Sequence, residues 1–166
     1  MKHRKTQLIL LLMGGLVFAQ QTQAPKLDLK TQILAVVKVQ KDGKTLEELK
    51  PSNGLQTPGQ VGVLRLTLKN VSKETLTNIR PRQPLNSAQE YLAGTASSTH
   101  PVEFSFDGGQ TFAPEPLFKN VQVQENGKTV VKKVQVKPSE YTDVRWTIKE
   151  LKAGQSEVLD LKFKVR

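Results

Sequence analysis

The chain has 166 residues, no cysteine, and 25 Lys plus Arg against 15 Asp plus Glu, a formal net charge of +10. Without a thiol there is no disulfide framework, no cysteine nucleophile, no thiolate metal site and no residue for a cysteine-borne lipid anchor. With His3 and His100 as its 2 histidines, the chain also lacks the ligands of a multi-histidine zinc or copper site.

Lys2, Arg4 and Lys5 precede an apolar run over residues 8–17, followed by Phe18, Ala19 and polar Gln20, Gln21 and Thr22. This order of charged, apolar and small residues is that of a secretory signal peptide. The apolar run falls short of the roughly 18 to 20 residues that a membrane-spanning helix needs. Val17 and Ala19 occupy the small-residue positions of a cleavage site, which places the cut between Ala19 and Gln20; Pro25 disfavours a cut after Ala24. The expectation is an exported protein, periplasmic, cell-surface or extracellular, with no transmembrane segment once the signal is removed.

Loss of Lys2, Arg4 and Lys5 leaves 22 basic residues against 15 acidic ones, a net charge of +7 on the mature chain. Such a charge attracts anionic surfaces, and salt weakens the attraction. Export and an aromatic content of 5% argue against a specific nucleic-acid role. The expected partner is an unknown protein or an anionic envelope polymer.

Residues 20–31 are polar and contain Pro25, as in a flexible leader, so the folded domain is expected over 32–166. Residues 33–40 and 45–49 flank Asp42-Gly43, a hairpin signal, and Pro51, Asn53, Gly54, Pro58 and Gly59 mark a loop. Val61, Val63, Leu66 and Leu68 alternate with polar residues, with one change of phase that predicts a bulge or a buried stretch. A strand over 77–80 is cut short by Pro81 and Pro84, and 87–92 allows a single helical turn. Val102, Phe104 and Phe106 predict a strand ending in the Asp107-Gly108-Gly109 turn. Residues 120–124 and 129–136 flank Asn126-Gly127, a second hairpin, and 141–148 and 158–165 complete the set. Short strands at this spacing, without helical periodicity, predict an all-β, immunoglobulin-like antiparallel β-sandwich of about eight or nine strands.

Three segments together resemble the DUF11 family of bacterial surface and secreted domains: Asn70 closing the strand 66–70, Ser105-Phe106-Asp107-Gly108-Gly109-Gln110-Thr111-Phe112, and Tyr141-Thr142-Asp143-Val144-Arg145-Trp146 followed by Ala153-Gly154. The likeness covers about residues 58–165. It implies an immunoglobulin-like fold and an envelope or extracellular location, without catalysis. Such domains occur in tandem arrays, whereas this chain carries one copy.

Each motif also has a physical reading. The Asp-Gly-Gly segment offers a single Asp, too few hard oxygen ligands for calcium, and reads as a hairpin turn. Trp146 alternates with Val144 and Ile148 and should face the core, with Arg145 pointing outward to a carboxylate; a carbohydrate-stacking Trp146 is the sharper alternative. His100, in Ser97-Ser98-Thr99-His100-Pro101, reads as a solvated loop histidine with no nucleophile elbow around it.

No catalytic, cofactor-binding or metal-ligating residue is therefore assigned, and the chain reads as a non-catalytic binding or scaffolding domain. Its candidate partner surface is the hairpin region 113–136, where Val121, Val123, Val130, Val134 and Val136 should cover the core. Lys132, Lys133 and Lys137 should guard the exposed edge. Two rival functions remain: a carbohydrate- or peptidoglycan-acting enzyme using two carboxylates, and a periplasmic chaperone-like strand-exchange protein, which needs a long uncovered groove between sheets.

Overall fold

The computed structural model describes residues 26–52, 57–97 and 99–166, so the expected signal peptide and its cut between Ala19 and Gln20 lie outside the described residues. The strands, in chain order, are β1 (Leu27–Lys41), β2 (Lys44–Pro51), β3 (Val61–Asn70), β4 (Leu76–Ile79), β5 (Arg82–Pro84), β6 (Gln89–Tyr91), β7 (Val102–Ser105), β8 (Phe118–Glu125), β9 (Lys128–Gln135), β10 (Asp143–Trp146), β11 (Ile148–Leu151) and β12 (Ser156–Val165). A 3-10 turn at Pro138–Glu140 is the one helical element among the described residues. The expected turn over 87–92 is instead a tight turn that leads directly into β6.

All pairings are antiparallel, and the first sheet runs β2-β1-β3-β12-β6. The second layer consists of β5-β10-β7 and β11-β4, which form one interrupted ladder. Ile148 stands opposite Ile79 and Arg145 opposite Arg82, the same register on both sides of the break. Trp146 N donates to Pro81 O at 3.1 Å, but Pro81 has no N–H to return a bond. The proline thus splits two long strands into four, β4, β5, β10 and β11, and with the three-residue β6 this brings the described strands to 12 instead of the eight or nine expected.

The core lies between these layers. Leu64, Leu66 and Leu68 of β3, Leu159, Leu161 and Phe163 of β12, and Tyr91 of β6 meet Phe104 of β7, Val144 and Trp146 of β10, and Ile148 of β11. Strand alternation sends every second side chain inward, and full burial of each large one contributes about 1.5–3 kcal/mol. Trp146, Val144 and Ile148 share the inner face as the alternation predicts, all at 0% exposure, which rules out the carbohydrate-stacking role for Trp146. Its indole Nε1 donates to Ser97 O at 3.2 Å, so its one polar atom is satisfied. Tyr91, Phe104 and Tyr141 add an aromatic cluster with centroids 4.7 and 5.2 Å apart along the chain of contacts.

Two expectations need correction, and one that left two alternatives open, the phase change in β3, is resolved in favour of the second. Strand β1 begins at Leu27, inside the stretch read as a leader, because Leu27 to Thr31 pair with Asn70 to Leu66 of β3. The phase change in β3 is a buried stretch and not a bulge: pairing runs unbroken, and Val63 on the outer face is covered. The cover is the β1–β2 hairpin, whose distal half leaves the sheet and folds back until Glu47 Oε2 reaches Lys162 Nζ at 2.7 Å. Lastly, Val136 alone of the five valines of region 113–136 enters the core; Val121, Val123, Val130 and Val134 stand on a β8–β9 hairpin that pairs with no other strand.

Leu66→Ala should therefore cost about 2–5 kcal/mol in urea unfolding, whereas Val131→Ala, on the projecting hairpin, should change stability by less than about 0.5 kcal/mol. Equal losses at the two positions would place the hairpin in the cooperative core.

Candidate functional site

Two regions outside the core carry chemistry: the outer face of the second sheet, and the β8–β9 hairpin. On β10, the alternation that buries Val144 and Trp146 turns Asp143 and Arg145 to the outer face. Arg145 pairs with Glu103 across the β10–β7 ladder, Nε and Nη2 donating to Oε2 at 3.2 and 2.7 Å. The expected outward carboxylate partner of Arg145 is thus Glu103, and the guanidinium also lies 4.0 Å from the centre of the Phe112 ring.

Arg82, directly opposite Arg145, would repel it unless its charge were matched. Its Nε donates to the buried Asp143 Oδ1 at 2.7 Å, its Nη2 to Gly108 O at 2.9 Å, and its guanidinium lies 5.9 Å from the Phe112 ring centre. A Cβ on Gly109 would sit 2.3 Å from the Arg82 guanidinium carbon, and Gly109 has φ +79°. Backbone conformation requires the second glycine of the turn, and a Cβ there would also push the Arg82 guanidinium from its place. Gly108 N donates to Thr142 Oγ1 at 3.1 Å, tying the turn to the strand after Tyr141. Two of the three segments that carry the family resemblance, 105–112 and 141–146, thus interlock through Arg82, a residue outside both.

Asp107 closes the turn. Its carboxylate accepts from Ser105 Oγ at 2.6 Å, Thr111 Oγ1 at 2.6 Å and the backbone N–H groups of Gln110 and Thr111 at 3.0 Å. The hydroxyls of Ser105 and then Thr111 hold this carboxyl well below the usual range. Its lone pairs are engaged by the turn, which is the hairpin-turn reading of the motif, not the calcium one.

The β8–β9 hairpin is rooted by Leu117 and Val136, both buried and joined by Val136 N to Leu117 O at 2.9 Å. Leu117 N also donates to Tyr141 Oη at 3.3 Å. Past this root both outer edges are free of strand partners among the described residues. One face carries Val121, Val123, Val130 and Val134, with a Lys132–Glu125 ion pair and a Lys119–Glu140 pair at its margins. The opposite face carries Phe118, 46% exposed, and Val131, 64% exposed, with Lys133 Nζ 4.7 Å from the Phe118 ring centre. The three lysines of the candidate surface are therefore not one patch. Lys132 and Lys133 lie on opposite faces, and Lys137 lies beyond the hairpin at the 3-10 turn.

Acidic residues are mostly neutralised in place. Asp160 binds Arg65 through both carboxylate oxygens at 2.9 and 2.7 Å, and Glu90 and Glu47 pair with Lys164 and Lys162. Glu115 Oε1 accepts from Tyr91 Oη at 3.0 Å, and burial, reinforced by this carboxylate, pushes the Tyr91 phenol up. Every carboxyl whose titration is displaced, Glu47, Asp107 and Glu140, is displaced downward, the opposite of what a general acid requires. His100 is less solvated than its loop sequence implies: Nε2 is buried, 3.6 Å from Glu157 Oε2 and without a hydrogen bond. Among the described residues no three metal-ligating side chains gather, and no helix is long and apolar enough to cross a membrane.

Comparison with known proteins finds no matching family model, no matching curated protein and no matching solved structure.

Gly109→Ala should destabilise by more than the roughly 1–2 kcal/mol of a left-handed non-glycine residue, and Arg82→Ala in the same chain should relieve the steric excess. A double-mutant cycle in urea reads this coupling; strictly additive losses would refute the contact. Asp107, lowered from its ordinary 3.8, contributes stability that is present above pH 3.8 and lost as pH falls through its lower folded value. Asp107→Asn should therefore be less stable at pH 7, with the gap to the parent narrowing in acid below the ordinary carboxylate range. A gap that stays constant down the acid limb would count against the turn-bound carboxylate.

Proposed function

We propose that this chain is an exported, non-catalytic binding or scaffolding domain of the bacterial envelope or extracellular space, acting through the β8–β9 hairpin. The observation that carries the reading is a hairpin that leaves the sandwich with unpaired edges among the described residues, with Phe118 and Val131 exposed on one face and half-buried valines on the other. An isolated two-stranded ribbon is marginally stable in water. A sequence that nevertheless places Phe118, Val121, Val123 and Val131 there gains stability when a partner covers them. The charge balance of this segment supports an anionic partner or an acidic protein surface: Lys119, Lys128, Lys132 and Lys133 against Glu125.

Export is supported by the order of charged, apolar and small residues over 1–19, and the surface-domain resemblance of the Asp-Gly-Gly and Tyr-Thr-Asp-Val-Arg-Trp segments points the same way. Absence of catalysis is supported by the pairing of the carboxylates and the downward direction of their displaced titrations. The strand-exchange reading is weakened by Pro84 on the β5 edge, which removes an outward N–H group that a donated strand would need.

The test is retention on washed bacterial envelopes. Replacing residues 118–135 by a tight turn between Leu117 and Val136 should leave thermal unfolding of the sandwich unchanged and abolish retention. Lys132→Glu, Lys133→Glu and Lys137→Glu together should lower retention, and raising salt should mimic that loss as the Debye length falls from about 8 Å toward 3 Å. Full retention by the shortened chain would overturn the hairpin as the binding element.

A further inference from the structure

We propose that the open cleft on the outer face of the second sheet binds an acidic sugar, a uronic-acid unit whose carboxylate sits on Arg80 and whose hydroxyls meet Glu103 and Thr147. This rests on the reading of the chain as a binding domain, but it uses a different surface from the hairpin. The cleft has a volume of about 440 Å3 and is bounded by Arg80, Pro101, Glu103, Pro114, Arg145 and Thr147. That is within the roughly 300–1,000 Å3 of small-molecule sites, with room for a sugar ring and its substituents.

The charges in the cleft are arranged, not merely positive. Arg145 spends both of its hydrogen bonds on Glu103 Oε2, and its guanidinium is held against Phe112, so the pair is fixed before any ligand arrives. Glu103 Oε1 has no hydrogen-bond donor among the described residues and faces the role of a hydroxyl acceptor. Arg80 lies where β4/β5 is broken, opposite Thr147 in the shared register, and has no acidic partner among the described residues. An unpaired guanidinium at the rim of an open cleft matches a carboxylate in a two-pronged fashion.

The neighbouring Glu103 selects against a dense anion: a phosphate placed on Arg80 would lie beside a carboxylate, whereas a monoanion carrying hydroxyls offers donors to it. Pro101 and Pro114 supply apolar edges for the C–H face of a sugar ring. Donor, hydroxyl and acceptor thus occur together with apolar walls, the composition of a site that reads a polar ring and not a bare ion.

The test is an NMR titration of the isotope-labelled chain with sodium glucuronate, with glucose and inorganic phosphate as comparison probes. Glucuronate should shift the amides of Val102, Glu103, Arg145 and Thr147 and saturate in the millimolar range, while glucose leaves them in place. Arg80→Ala should weaken the response by about tenfold, one charge-assisted contact's worth. Thr147→Val should weaken it without removing the preference for charge. Arg80 is exposed and unpaired, so thermal unfolding of that variant should match the parent.

No saturable shift up to about 20 mM glucuronate, well past the roughly 1 mM of a weak sugar site, would overturn the proposal. So would an equal response to glucose, or phosphate binding as tightly as glucuronate. Envelope retention of Arg80→Ala keeps the two proposals apart: saturation by glucuronate with full retention supports the cleft and leaves retention to the hairpin. Saturation together with full retention by the hairpin-shortened chain supports the cleft and overturns the hairpin.

Discussion

Everything in this fold depends on the closure of two alternating strands, β3 and β12, over the inner face of β10. With no cysteine there is no covalent staple, so the sandwich holds only as long as Leu64, Leu66, Leu68, Leu159, Leu161 and Phe163 remain packed on Val144 and Trp146. Strand geometry then fixes the other side of the layer. A strand that buries its even residues must present its odd ones, and on β10 those are Asp143 and Arg145. The core and the polar lattice outside it are thus two faces of one four-residue strand.

The outer lattice shows how a basic chain tolerates adjacent arginines. Arg82 and Arg145 face each other across the ladder, and each is matched by its own carboxylate, Asp143 or Glu103, with the Phe112 ring near both guanidinium groups. Asp143 is nearly inaccessible, so removal of Arg82 would leave a buried charge unmatched, a costly event in a low-dielectric setting. The Asp107-Gly108-Gly109 turn belongs to the same lattice, since Arg82 lies on Gly109 and bonds to Gly108 O. These two arginines therefore add no net charge to the lattice, and Arg80 beside it is left without an acidic partner among the described residues.

The projecting hairpins divide the molecule by stability. The β1–β2 arm is tied back by the Glu47–Lys162 pair and covers Val63, whereas β8–β9 meets the body at Leu117 and Val136. A two-stranded ribbon without a third strand opens at low free energy, the range from which binding elements are drawn.

Local chemistry alone settled a good deal. The turns at Asp42-Gly43, Asp107-Gly108-Gly109 and Asn126-Gly127, the inward row of Val144, Trp146 and Ile148, and the outward Arg145 were all legible, because turn chemistry and a period of two are properties of adjacent residues. Five valines in one region looked like core for the same reason, yet alternation says only that a face is apolar, not whether anything lies against it. Tertiary structure alone decided that the β8–β9 ribbon has no covering sheet, that Lys132 and Lys133 part to opposite faces, and that Leu27 to Thr31 belong to a strand. It also decided that Arg82, Asp143 and Gly109 meet and that Arg80 is left without a counter-charge. Those facts depend on which distant segments become neighbours, and a linear pattern carries no record of distance in space.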